Sequence, residues 1–309
     1  MQITPRIKAY IMLLAVSVIW GVASPVIKFT LNGFPPALFL AYRFGISTIV
    51  AIIIFSINGF HLPKDKGTVL LILLYGFLNS VISLGFLFFG MENTSVLEAG
   101  LITLSSPLIV STAGVFFLHE HITKREKIGM AIAIFGTALT ILGPLVTNGK
   151  SELKFTGNLM ILGYVLSTLV TTLLAKKLLK KDVNPMTMTN ISFIIGFICF
   201  TIFVLYSGSL PSLYTIYDIP FTYHIGVLYM AIISGTLAFY LSNKAQKSIE
   251  IGEQSLFSYL YPIFSLPLAV LWLGEKIMPV HIIGGIVIII GVVVAELKKK
   301  RYNSSSKAK

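Results

Sequence analysis

Charge is what this sequence has least of. Asp, Glu, Lys and Arg make up 12% of its 309 residues, against about 25% in a soluble domain, while 55% are hydrophobic and the mean hydropathy is +0.87. A chain of that balance is built for lipid rather than water. Acidic residues are scarcest, 12 against 24 Lys and Arg, for a net charge of +12. The single cysteine, Cys199, excludes an intrachain disulfide and reads as a small core residue. No phosphate-binding glycine loop is present, so the chain is expected to hydrolyse no ATP, and the His-Glu-His run at 119–121 lacks the spacing of a zinc site. Neither a metal nor a cofactor is expected. An enzyme would need acids and histidines clustered at one surface, and none are found.

Long polar segments are missing too. Apolar runs of about 20 residues, enough to cross a hydrocarbon core of roughly 30 Å, recur near 9–29, 36–57, 67–89, 96–118, 127–146, 155–175, 186–206, 222–243, 253–273 and 279–296. The longest connection, about 207 to 221, is too short to be a soluble domain. The first run follows Arg6 and Lys8 but is too long for a signal peptide, and Pro25 crowds the would-be cleavage site. With the N-terminus in the cytoplasm, nineteen of the 24 Lys and Arg fall on inner segments; Lys28, Lys150, Lys154 and Lys276 fall outside, and Arg43 within the second helix. Both termini are therefore expected to be cytoplasmic in a multi-pass protein of the cell membrane. Topology accounts for the positive charge without nucleic acid, and the basic tail, 298–309, could touch anionic headgroups.

A repeat organises these helices. At a constant offset of 155 residues, Glu98, Pro107, Glu120, Gly129 and Gly136 match Glu253, Pro262, Glu275, Gly284 and Gly291. Pro, Gly and Glu are what a lipid-facing helix avoids, so composition does not explain the match. The expected fold is all-α and integral to the membrane, with ten transmembrane helices as two inverted five-helix repeats, 1–147 and 148–297. Five crossings per copy force the second copy to enter from the opposite side, the symmetry that alternating access uses.

Polar residues three, four or seven apart share a helical face. Such stripes are Ser17, Trp20, Gly21 and Ser24; Tyr75, Asn79 and Ser83; Gly100, Thr103 and Pro107; Tyr164, Ser167 and Thr171; Tyr229, Thr236, Tyr240 and Asn243; and Ser255, Ser258, Pro262 and Ser265. They lie on the first, third, fourth, sixth, eighth and ninth helices and suggest one shared interior, because an unpaired polar group in hydrocarbon is costly. Taken singly, each Ser or Thr is also an ordinary packing residue. Trp20, Ser24, Tyr75, Asn79, Thr103, Tyr164, Ser167, Tyr240, Asn243, Ser258 and Tyr259 are the candidate solute contacts, with Tyr261 a further aromatic. Pro107 and Pro262 remove backbone donors mid-helix and are candidate hinges. Arg43, costly inside lipid, should pair with a carboxylate or reach water, or snorkel outward. With it, Glu98 and Glu253 are the ion-coupling candidates, although acids near helix starts also serve the dipole; Glu120 and Glu275 read as turn residues. Small-residue strips at Gly129, Ala133 and Gly136 and at Gly284 and Gly291 mark the fifth and tenth helices as scaffold or a homodimer face.

Trp20-Gly21 with Pro25, Arg43-Phe44, Pro107-Leu108 with Leu118 to His121, and the paired glycines of the fifth and tenth helices resemble the drug/metabolite transporter superfamily, in particular its ten-helix EamA-type members. The likeness spans the chain and is weakest over the sixth and seventh helices, where Tyr164 stands in place of Trp20. It implies a 5+5 inverted repeat and movement of metabolites, amino acids or amphiphilic compounds, often as efflux. The expected activity is a secondary transporter, or permease, for a neutral, zwitterionic or amphiphilic solute, in contact with membrane lipids. A lipid flippase or a non-transporting membrane scaffold is the alternative.

Overall fold

A computed structural model describes residues 4–59, 62–109, 124–146, 151–207 and 216–296. Among them no strand occurs, and the long helices follow the apolar runs. They are α1 (Pro5–Thr30), α2 (Pro36–Asn58), α3 (Lys66–Asn93), α4 (Val96–Ile109), α5 (Lys124–Val146), α6 (Ser151–Lys180), α7 (Pro185–Tyr206), α8 (Phe221–Ser248), α9 (Ile251–Leu271) and α10 (Pro279–Glu296). Seven of these, α1, α2, α3, α6, α7, α8 and α9, are long and apolar enough to cross a membrane; the apolar stretches of α4, α5 and α10 are shorter. Glu120, His119, His121 and the basic tail lie outside the described residues.

The ends are set by local chemistry. Proline stands at the first turn of α1, α2 and α7, where its missing N–H costs nothing. Asp65 caps α3 by accepting from the Thr68 hydroxyl at 2.7 Å and from the backbone of Thr68 and Gly67 at 3.0 and 3.1 Å. Those bonds, the hydroxyl first, hold its carboxyl below the usual carboxylate range. Helix α6 runs past its apolar segment through the basic turn Lys176–Lys180 and stops at Asp182, whose φ of 57° breaks the spiral.

Packing joins the two halves of the chain throughout. Helix α1 lies on α8 and α9, α6 on α3 and α4, α2 on α7, and α5 on α10. Adding or subtracting five from each helix number returns the same set of neighbours. Two irregularities obey that rule as well. Wide π-helical turns occupy Phe77–Ser83 in α3 and Tyr229–Leu237 in α8, and α4 and α9 each break one turn before Pro107 and Pro262, at Leu104–Ser105 and at Phe257–Leu260. The small-residue strips are spent inside the chain. A Cβ on Gly136 would lie 2.8 Å from the Ile288 backbone nitrogen, and one on Gly291 would lie 2.5 Å from that of Ala133, so α5 and α10 touch backbone to backbone. Their outer faces, with Phe135, Ile283, Ile286 and Ile290, are exposed and apolar.

Candidate solute cavity

Between the halves lies a cavity of about 180 Å³, room for on the order of ten waters or one small organic solute. Its walls come from α1, α3, α4, α6, α8 and α9, with Arg43 contributed by α2. Aromatic rings from both halves enclose it: Trp20 and Tyr75 from the first, Tyr164, Phe239 and Tyr261 from the second. Trp20 is held edge-on to Phe239 and Tyr261, with centroids 5.1 and 5.9 Å away, and its indole N–H donates to the Ser234 carbonyl at 3.0 Å. That carbonyl belongs to the π-helical turn of α8, where the regular backbone ladder is interrupted.

Polar groups around the cavity are tied to one another across helices. The Asn79 amide donates to Ser192 at 3.1 Å, Ser83 and Thr168 share a bond of 3.1 Å, and the Asn243 amide donates to Thr189 at 3.2 Å and to the Tyr75 hydroxyl at 3.4 Å. Toward the start of α9, the Gln254 amide donates to Ser242 at 2.9 Å and the Gln246 amide to the Thr172 carbonyl at 3.1 Å. Buried polar groups so connected fix the side chains that face the space.

Of the candidates named from sequence, the structure brings together Trp20, Ser24, Arg43, Tyr75, Asn79, Thr103, Tyr164, Asn243, Ser258 and Pro262 on the cavity wall. Ser167, Tyr240, Tyr259, Pro107, Glu98 and Glu253 are not on it. The Ser167 hydroxyl turns back to the Tyr164 carbonyl at 2.9 Å, and the Tyr240 hydroxyl accepts from Lys244 at 3.0 Å. The π-helical turn of α8 is the physical reason for the second displacement. Its wider spiral advances the inward face, so the wall is made by Met230, Ser234, Phe239 and Asn243 rather than by Tyr229, Thr236 and Tyr240. Tyr229 instead donates to the Ile19 carbonyl at 2.8 Å. Sequence reasoning also passed over Ser106, Thr168, Thr172, Gln246 and Gln254 on the wall. The signal for Thr168, Thr172 and Gln246 was present, since each lies three or four residues from a named wall residue.

Arg43 neither snorkels nor pairs. It is the largest fully buried side chain described, 1% exposed, and its guanidinium carbon lies 5.2 Å from the ring centroids of both Phe44 and Phe88. The acidic candidates have partners elsewhere. Glu98, 3% exposed on α4, accepts from Thr94 at 2.9 Å and meets His281 of α10 at 3.4 Å. His281 Nδ1 accepts from the Met278 amide at 3.2 Å, which places the proton on Nε2 in the neutral ring, aimed at Glu98. Glu253 is paired with Arg6 and accepts from the Tyr10 hydroxyl at 3.2 Å. Glu275 has the turn role expected of it: its two oxygens accept from the Val96 and Leu97 amides at 2.7 and 2.9 Å and cap α4. Among the described residues no cluster of three or more potential metal ligands occurs.

Comparison with known proteins places this geometry. The model of the EamA-like transporter family matches residues 7–142 and 155–296, one match in each half. The uncharacterized transporter YetK of Bacillus subtilis is 28% identical over 95% of this chain and 88% of its own. A probable amino-acid metabolite efflux pump of Escherichia coli is 25% identical over 91% of this chain and 92% of its own. A solved crystal structure, 19% identical, superposes over 94% of this chain and 96% of its own with a TM-score of 0.59, a likeness of fold.

Proposed function

Since this chain belongs to the EamA-like transporter family, we propose that it is a secondary transporter which exports a small organic metabolite, amino acid or amphiphilic compound across the cell membrane by alternating access. The observation that carries the reading is the position of the cavity, walled by three helices from each half of a chain whose two halves each match the family. In this reading all ten helices cross the membrane, 1–147 and 148–297 are inverted copies, and both termini are cytoplasmic. The neighbour list that survives a shift of five helices supports such a two-fold relation. Rocking one copy against the other would expose the cavity alternately to the two sides. The wall residues Trp20, Ser24, Tyr75, Asn79, Thr103, Tyr164, Asn243 and Ser258 are the proposed solute contacts, and the breaks before Pro107 and Pro262 the proposed hinges. Naming of an efflux pump among the relatives agrees with export.

Counterflow in proteoliposomes against a panel of amino acids, nucleosides and cationic dyes tests the assignment. At least one solute class should exchange in a protein-dependent way, and Asn79→Ala or Asn243→Ala should slow it. No exchange of any class by folded protein would refute transport of small solutes.

A further inference from the structure

The cavity wall holds a charge that nothing in the protein answers. Among the described wall residues, Arg43 is the one that is formally charged. The ion pairs found among described residues are Arg6–Glu253, Lys181–Asp65, Lys247–Asp182 and His281–Glu98, and none includes it. Its Nε and Nη1 are buried without a hydrogen-bond partner. An arginine keeps its charge at neutral pH and cannot escape burial by losing a proton, as a lysine or histidine does. Phe44 and Phe88 stabilise the cation through their ring faces, but a ring face leaves the in-plane N–H donors unused. Buried cations with spare donors are ordinarily completed by an anion, and within a membrane an unpaired ionisable group marks a ligand or ion pathway.

We infer that Arg43 is the docking point for the carboxylate of the transported solute, so that the cavity selects small organic carboxylates. One uncompensated positive charge in an otherwise uncharged wall is neutralised by one negative charge. A phosphate dianion would leave an excess buried charge, and a cation would add to the repulsion. The rest of the solute lies against Trp20, Tyr164 and Phe239 and the hydroxyls of Ser83 and Thr168, a surface suited to an apolar or aromatic body with few polar groups. This inference rests on the transporter reading only in calling the ligand a cargo; binding itself is separable from movement.

Binding can be read by Trp20, which borders the cavity with Arg43. In a Trp272→Phe background, which keeps an aromatic ring against Phe29, Trp20 is the remaining indole, since the chain has two tryptophans. Its fluorescence is titrated with 3-phenylpropionate against 3-phenylpropionamide and with L-phenylalanine against L-phenylalaninamide. A charge-assisted pair should favour each acid over its amide by about tenfold or more. Arg43→Gln should bring the ratio to about one, and Arg43→Lys, charged but without the planar donors, to an intermediate value. The ratio is taken within each protein, so a variant of lower affinity still reports; if Arg43→Gln does not fold, Arg43→Lys and the parent ratio decide. Equal binding of acid and amide by the parent protein overturns the inference, as does a preference that survives Arg43→Gln. Counterflow keeps the two readings apart: carboxylate preference at Trp20 without exchange of any solute sinks transport and leaves the Arg43 site standing, whereas exchange of dyes or nucleosides with no carboxylate preference does the reverse.

Discussion

Lys28 and Lys176 make the same contact at the ends of two different helices. The Lys28 ammonium donates to the carbonyls of Met91, Glu92 and Thr94, at 2.9, 3.1 and 2.6 Å, where α3 ends. The Lys176 ammonium donates to the carbonyls of Gln246, at 2.6 Å, and Ile249, where α8 ends. Met91 and Gln246, like Thr94 and Ile249, stand 155 residues apart, the offset that relates Glu98 to Glu253. Each lysine meets carbonyls that have no helical partner, at the negative end of a helix, and each fastens a cavity-lining helix of one half to the other half.

If the halves are inverted, these two fastenings lie at opposite mouths of the path, and alternating access must release them in turn. In a Cys199→Ala background, Lys28→Met should speed labelling of Ser24→Cys by an impermeant maleimide from one face of the membrane. Lys176→Met should do the same for Ser255→Cys from the other face. Loss of a charged hydrogen bond worth about 1.5 kcal/mol corresponds to about a tenfold shift in the open population. Labelling from the same face in both variants would remove the paired-gate reading.

The inverted topology has a simpler check. Glu92 and Ser248 are both exposed, beside the α3–α4 and α8–α9 turns. Cysteines placed there should react from opposite sides of sealed, oriented vesicles. A common side would dismantle the two-fold relation and with it the proposed mechanism.

Proton coupling, should it run through an acid, falls to Glu98 rather than Glu253. Glu98 is buried against His281, so a proton gained or lost there changes a charge inside the α4–α10 contact. Glu253 is matched by Arg6, whose side chain is exposed. Glu98→Gln is expected to flatten the dependence of counterflow on pH between about 5 and 8, the range over which histidine titrates, while Glu253→Gln leaves its shape intact. An unaltered profile in both variants would eliminate acid-mediated coupling.

Close approach of α5 and α10 predicts a graded pair of stability effects. A Cβ at Gly291 meets the backbone of Ala133 and Gly129 at 2.5 and 2.6 Å, atoms that move only if a helix moves. At Gly284 the first obstacle is the Thr140 hydroxyl at 2.4 Å, which is free to rotate, while backbone stands 3.4 Å away. Gly291→Ala should therefore cost about 1–3 kcal/mol, the range for overpacked cores, and Gly284→Ala less. Thermal unfolding in detergent measures both, and an equal or reversed order would mean that the helices part easily.

How much of this was legible beforehand varies by element. The helical runs, the chain-wide repeat and the helices that wall the cavity follow from apolar length and from polar residues recurring on one face. On α9 the stripe Ser255, Ser258, Pro262 and Ser265 lines the cavity residue for residue. On α8 the reading slipped, because a regular spiral was assumed where the chain makes π-helical turns, and Tyr229 and Tyr240 point elsewhere. On α4 the break at Leu104–Ser105 brought Ser106 rather than Pro107 to the wall. The correspondence of Lys28 with Lys176 was hidden because they stand 148 residues apart, off the 155-residue register.

By itself the sequence determined that this chain is a duplicated bundle of apolar helices with a polar interior, because hydrocarbon tolerates only segments whose backbone is satisfied internally and whose polar side chains turn inward. Tertiary structure alone decided which of those side chains share a space and which charges have partners. Glu98 and Glu253 are answered by His281 and Arg6 from distant helices, while Arg43 is answered by no acid among the described residues. Pairing depends on distances of a few ångströms between segments far apart in the chain, and helical periodicity carries no information about those distances.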